Sequence, residues 1–188
     1  MEQIMSIIQT MLAFLALIAA TWIPHKIKWE QMYSSLLDEY RSFDYAIALQ
    51  RIIEFFVTEC KNDVNNIKPL YRKHFEEEIM DKKGDIKKEN CLHFQRRLLA
   101  QFFWQLNQCA NSFAIGKRRI AQDFTSSEAK LIKILIYIGE VIDNDETGIL
   151  YKDISSDERV RKIEHYKGQN KSLAEIYHIL KNSKRFIS

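Results

Sequence analysis

The first feature of the chain is an apolar run with no periodicity. From Ile4 to Ile23 the sequence reads IMSIIQTMLAFLALIAATWI, twenty residues without a charge. At a rise of about 1.5 Å per residue, such a helix matches the roughly 30 Å hydrocarbon core of a bilayer. Gln9 is the one costly residue in it, while the hydroxyls of Ser6, Thr10 and Thr21 can return to the helix backbone. Trp22 falls where an interfacial aromatic belongs, and Pro24 marks the expected membrane exit. A cleaved signal peptide would need a basic leading segment and a small-residue cleavage site. Here only Met-Glu-Gln precedes the run, and bulky Trp22 and Ile23 follow Ala19-Ala20-Thr21.

Beyond Pro24 the pattern becomes amphipathic, and it stays helical to the end. Trp29, Tyr33, Leu36, Leu37 and Tyr40 recur at three- and four-residue intervals, which predicts a helix leaving the membrane surface. Ser42 is a candidate N-cap for a second helix over 43–60, with Tyr45, Leu49, Ile52, Phe56 and Cys60 on one face. Ala46, Ile53 and Val57 widen that face. A polar turn over 62–66 precedes a helix with Pro69 in its first turn and Leu70, Tyr71, Phe75 and Ile79 along it, ending near Lys82-Lys83-Gly84.

The longest helix is expected over 85–115, where Leu92, Leu99, Phe102, Leu106, Cys109 and Phe113 form an apolar stripe wide enough for the centre of a bundle. Gly116 and Lys117-Arg118-Arg119 are expected to close it. Ser/Thr-x-x-Glu capping patterns at Thr125–Glu128, Ser155–Glu158 and Ser172–Glu175 open three further helices, the first with Leu131, Leu135, Ile138 and Ile142 as its stripe. Gly168 is expected to stop the helix between the last two. No alternating strand pattern occurs. The predicted fold is all-α: a single N-terminal transmembrane helix (residues 1–24) followed by a soluble bundle of about six helices (residues 25–188).

Composition supports a folded domain. Of 188 residues 46% are hydrophobic and 12% aromatic, with only five glycines and two prolines, which disfavours disorder and turn-rich β folds. The net charge of +3 is too small to call for a nucleic-acid partner. Lys26 and Lys28 follow the apolar run and only Glu2 precedes it, so the positive-inside rule puts the N-terminus outside and the domain in the cytoplasm, at the inner membrane of a bacterium. Cys60, Cys91 and Cys109 lie far apart in apolar helical contexts and read as reduced structural thiols.

Three stretches carry a resemblance. They are Trp29 to Tyr45 (W-E-Q-M-Y … E-Y-R-S-F-D-Y), the helix R-R-L-L-A-Q-F-F-W over 96–104, and Asp123-Phe124-Thr125 leading into K-L-I-K-I-L. With the N-terminal anchor, they resemble small bacterial membrane-anchored helical proteins of the domain-of-unknown-function kind. The resemblance implies the anchor and the helical fold, and no catalytic residues come with it.

Candidate chemistry is sparse. Asp143-Asn144-Asp145-Glu146-Thr147-Gly148 begins like a calcium loop, but Ile154 stands where the bidentate glutamate is needed. His74 lies one helical turn from Glu77 and Glu78 without the His-Glu-x-x-His pattern, and Cys91 and His93 point in different directions on a helix. There is no nucleophile elbow, Walker loop or dinucleotide fingerprint. The basic residues Lys87, Lys88, Arg96, Arg97, Lys117, Arg118 and Arg119 are interleaved with acids near 81–89 and read as a solvated surface or as contacts to lipid phosphates. No metal, cofactor, small-molecule substrate or nucleic acid is expected.

The expected function is therefore non-enzymatic: a membrane-tethered interaction or regulatory module that meets lipid and a protein partner or a second copy of itself. The residues expected to matter are positional. Trp22, Lys26, Lys28 and Trp29 mark the membrane interface, and Ala16 and Ala20 form a small-x-x-x-small pair for transmembrane packing. Two alternatives are a membrane-disrupting effector (an antiphage or toxin component) assembling through this helix around Gln9, and a nucleic-acid- or metal-binding helical domain.

Overall fold

A single 39-residue helix, α1 (Glu2–Tyr40), carries the chain from its apolar start into the folded domain. Pro24 lies inside it. The apolar run and the amphipathic stretch after it are thus two halves of one element, not two helices. Proline lacks the N–H that would reach back to Ala20, but its neighbours keep the helical path. The computed structural model describes residues 2–80, 91–124, 126–143 and 156–182. Among these the protein is all-α: α1 is followed by α2 (Phe43–Glu54), α3 (Ile67–Met80), α4 (Leu92–Ala110), α5 (Gly116–Asp123), α6 (Ser126–Asp143) and α7 (Ser156–Lys181).

The two halves of α1 have opposite environments. From Met5 to Ile27, twelve large apolar side chains are 46–63% exposed. The hydroxyls here turn inward on their own helix: Thr10 Oγ1 donates to the Ser6 carbonyl at 2.9 Å, and Thr21 Oγ1 to those of Leu17 and Ile18 at 3.2 and 3.0 Å. Below them, Tyr33 and Leu36 are buried, and Trp29, Met32, Leu37 and Tyr40 pack against the core.

Ser42 caps α2 as its sequence predicts, accepting from the Tyr45 amide at 3.2 Å. The end of α2 departs from regular winding. Residues Phe55–Glu59 form a turn of π-helix, closed by the Cys60 amide donating to the Phe55 carbonyl at 3.0 Å. The inserted residue lets Phe55 and Cys60, five apart, both reach the core, and it turns Glu59 sideways. Glu59 there pairs with His74 of α3 and lies 3.5 Å from Arg51. His74 therefore does not act with Glu77, which instead sits 3.8 Å from Lys73. Left-handed Lys61 and Asn62 (φ 55° and 61°) end the turn.

The core is built on α4. Leu92, Leu99, Phe102, Phe103, Leu106 and Cys109 are all fully buried, between α2 on one side and α7 on the other. A polar seam also faces α7: Asn107 Nδ2 donates to Glu175 Oε2 at 2.7 Å, and Gln169 Nε2 to Gln101 Oε1 at 3.4 Å. Arg96 is buried within the bundle, which removes it from the basic surface expected around α4. Lys87, Lys88 and the start of the long helix expected from residue 85 lie outside the described residues, as does the Asp143 loop beyond its first residue.

Three boundaries differ from expectation. The long helix ends at Ala110 rather than 115, and a separate short helix, α5, occupies the segment read as its basic terminus. Helix α7 continues through Gly168 and Ser172, so the pattern at Ser172 is not a cap. Leu173, Ile176, Ile179 and Leu180 bury a continuous stripe there, and a glycine costs only about 1 kcal/mol in a helix held by such packing.

His93 has a titration consequence. Its Nδ1 lies 2.8 Å from the Tyr71 hydroxyl, and its ring stands edge-on to Phe75 at 4.6 Å. Burial, then the charges of Arg96 and Arg97, lower its pKa from 6.5 to about 3. The folded imidazole stays neutral where the unfolded one takes a proton. Its contribution is complete above pH 6.5 and is lost as the pH falls toward 3, with a limiting slope of about 1.4 kcal/mol per pH unit. Urea midpoints in detergent micelles should fall between pH 7 and pH 5, and by a smaller amount in His93→Gln. An equal fall in both proteins would assign the loss to other groups.

Candidate functional site: the anchored stalk and the groove beside it

The lower half of α1 is fastened to the bundle by three polar contacts spaced along it. Glu30 Oε2 accepts from Arg119 at 2.6 Å, Tyr33 donates to Asp123 Oδ2 at 2.6 Å, and Tyr40 donates to Glu128 Oε1 at 2.7 Å. Arg119 also lies over the Tyr33 ring, 5.0 Å from its centroid. The two acceptors beyond Glu30 come from α5 and from the first turn of α6, so α1 is tied to the domain over most of its lower length. Burial and the Asp123 carboxylate raise the pKa of Tyr33, and burial and Glu128 push Tyr40 up to about 12. Both hydroxyls keep their protons for these bonds.

An aromatic cluster joins the foot of the stalk to the core. Tyr40 lies 5.0 Å from Tyr45, 5.8 Å from Phe102 and 5.3 Å from Phe124, and Phe102 lies 4.8 Å from Tyr45. The Tyr40–Phe124 and Phe102–Phe103 pairs meet edge to face, an arrangement worth about 0.5–1.5 kcal/mol beyond area burial.

Beside this cluster a groove of about 300 Å³ opens between α2 and α6. Leu49, Ile53 and Phe56 line it from one side and Leu131 and Ile134 from the other, with Tyr40, Tyr45, Glu128 and Lys130 completing the lining. Ile53 is 44% exposed, and Val57, one turn further, 48%. The apolar face of α2 expected to lie wholly in the core is therefore divided. Tyr45, Ala48, Ile52 and Phe55 go inward, and Ile53 and Val57 face out. The Tyr45 side chain is 99% buried, yet its hydroxyl meets no hydrogen-bond partner. Burying a hydroxyl unpaired costs about 1–3 kcal/mol on protein scales.

The residues singled out from sequence fall in different places. Trp22, Lys26 and Lys28 are exposed, with Lys26 Nζ 5.3 Å from the Trp22 ring centroid. Trp29, by contrast, packs against the core. Ala16 and Ala20 are exposed on the free half of α1. The sequence places Tyr45 on a core stripe and Glu128 in a capping pattern but does not show the groove they line, because a hydrophobic face gives the same periodicity whether it is covered or open. It also placed Phe113 in the core stripe of the long helix, whereas Phe113 is 56% exposed and stacks on Trp22 at 5.7 Å. Among the described residues, no three His, Cys, Asp or Glu side chains gather as a metal site would require. Cys60 and Cys109 are buried free thiols, pushed up to about 11 chiefly by burial.

No family model, curated protein or solved structure matches this chain.

Proposed function

We propose that this protein is a non-enzymatic, single-pass membrane module, held at the cytoplasmic face of a bacterial inner membrane, that presents the α2–α6 groove to a protein partner. The observation that carries this reading is the division of α1. One uninterrupted helix has twelve large apolar side chains in the open over its first half and is bonded to the bundle over its second. Transfer of such side chains from water to hydrocarbon gains about 1.5–3 kcal/mol each, on the order of 20 kcal/mol in all, which a helix left in water forgoes. The helix is long and apolar enough to cross a bilayer. Lys26 and Lys28 at its inner end favour the cytoplasmic side for the bundle.

The groove supports a role for the tethered domain. Its walls are mostly apolar, Ile53 in one of them is followed one helical turn on by exposed Val57, and Glu128 and Lys130 add charge to the lining. An amphipathic helix can lay apolar anchors into such a groove at i and i+4 spacing. Confinement to the membrane raises the effective concentration for partners that share it.

The test is cross-linking in native membranes followed by purification of the full-length protein and mass spectrometry, with Ile53→Arg/Val57→Arg alongside the unaltered chain. A protein recovered reproducibly with the unaltered chain and lost with the variant is the expected outcome. Recovery of the same proteins with both would remove the groove from the proposal. Recovery of the chain alone as a defined oligomer would favour assembly through the transmembrane helix.

A further inference from the structure

The turn between α4 and α5 touches α1 at the end of its exposed apolar run, beside Trp22 and His25. Phe113, at its tip, stacks on Trp22 at 5.7 Å and stands edge-on to His25 at 6.1 Å. The turn is built to hold that ring outward. Ser112 Oγ donates to the Cys109 carbonyl at 2.7 Å and accepts from the Ile115 amide at 3.2 Å, and Ile115 is buried at 7% exposure. Gly116 then takes a left-handed φ of +71°, which other residues adopt only with strain. Phe113 is left 56% exposed on the same side of the bundle as the apolar half of α1.

Charge accompanies it. Helix α5 starts immediately after the turn and runs the same way as α1, since its residues 119 and 123 meet Glu30 and Tyr33 further down the stalk. Its first turn therefore lies toward the apolar half of α1. Lys117 and Arg118 are exposed there, and Lys26 and Lys28 are exposed on the neighbouring stretch of α1. Arg119 is bonded to Glu30 and so faces the stalk.

We infer that the α4–α5 turn is a second membrane contact, in which Phe113 enters the interface of an anionic bilayer beside Trp22 while Lys117 and Arg118 meet lipid headgroups. The inference rests on the membrane-spanning reading of α1. The occupant is fixed by continuity with the apolar span and by charge: an aromatic ring at headgroup depth, flanked by lysine and arginine, matches an anionic leaflet. Two points of attachment set the rotation of the bundle about the α1 axis, which a single helix leaves free.

The experiment uses the full chain reconstituted in phosphatidylcholine vesicles with and without phosphatidylglycerol. Spin labels are placed singly at Phe113→Cys and Ile23→Cys on a Cys91→Ser background, where Cys60 and Cys109 are buried. Collision rates with oxygen and with a water-soluble nickel chelate then report depth. The expected result is a label at 113 within about one helical turn, roughly 5 Å, of the depth found at 23. With phosphatidylglycerol present, Lys117→Gln/Arg118→Gln should move the label at 113 outward and leave the label at 23 in place. Free access of nickel at 113 with lipid shielding at 23 overturns the second contact and leaves the span intact. Free access at both sites overturns the span itself. Shielding of 113 from both reagents identifies a protein neighbour in place of lipid and also overturns the inference. Both replaced side chains are largely exposed, and an unchanged far-ultraviolet dichroism spectrum confirms that each variant is folded.

Discussion

Phe102→Ala should lower the unfolding free energy of the bundle by about 3–5 kcal/mol, the range for truncating a fully buried aromatic. Phe102 has no exposed surface and lies within about one ring width of Tyr40, Tyr45, Phe103 and Phe124. Removing it opens a cavity where α1, α2 and α4 meet. Such a loss is a large part of the roughly 5–15 kcal/mol that holds a typical domain. The damage should also be directional. The chain between α1 and α2 is short, with Arg41 exposed. Loosening the cluster should speed tryptic cleavage at Arg41 before the α6–α7 pair opens. Phe102→Leu, which refills most of the volume, should restore most of the midpoint and slow cleavage again. Denaturation in micelles with timed proteolysis reads both effects, and equal cleavage of the two variants would remove Phe102 from its role as the joint of the stalk.

A second large effect is expected on the opposite side, where α6 crosses α7 at Gly139. A β-carbon built there would overlap the end of the Asn170 side chain, with its amide carbon at 2.7 Å. That is inside contact, so Gly139→Val must either displace the Asn170 side chain or part the helices. Overpacking typically costs about 1–3 kcal/mol, and because the obstructing atoms are the end of one side chain, the valine should cost about 1–2 kcal/mol. Asn170→Ala removes the obstructing atoms, so the double variant should be more stable than Gly139→Val alone. A double variant that is less stable than either single variant would show that the helices, not the amide, set the limit. The space at residue 139 is thus set by the Asn170 side chain across the interface, since its own backbone is ordinary helix.

Much of this architecture is legible in the sequence, for physical reasons that can be named. The charge-free run from Ile4 to Ile23 forms a helix long and apolar enough to cross a bilayer, as its length and composition predict. Ser42 fits a local rule satisfied within three residues, and the stripe Leu99–Phe102–Leu106–Cys109 lies where helical periodicity puts it. What was not legible depends on pieces distant in sequence. Whether Ile53 is buried is decided by how closely α6 approaches, about 80 residues later. Tyr40 and Glu128 are 88 apart, and neither shows its partner in the local pattern. Phe113 continues the apolar spacing of α4 faithfully, but the helix ends at Ala110, and after that its periodicity carries no information. The pattern at Ser172 fails for the converse reason, because a cap is only an offer to start a helix and α7 was already under way.

The unbroken passage of α1 through Pro24 has a mechanical consequence. From Ile23 to Tyr40 the helix extends for about 26 Å at the usual rise, continuous through Pro24 and bonded to the bundle along its lower part. In a membrane-spanning α1, this makes a lever. A change in tilt of about 20°, within the ordinary range for spans adapting to bilayers of different thickness, would swing the foot of the lever by roughly 9 Å. The groove beside Tyr40 sits at that foot. Bilayer thickness would then be converted into the position of the groove, with the fatty-acyl chain length of the surrounding lipid setting where a partner must come to reach it.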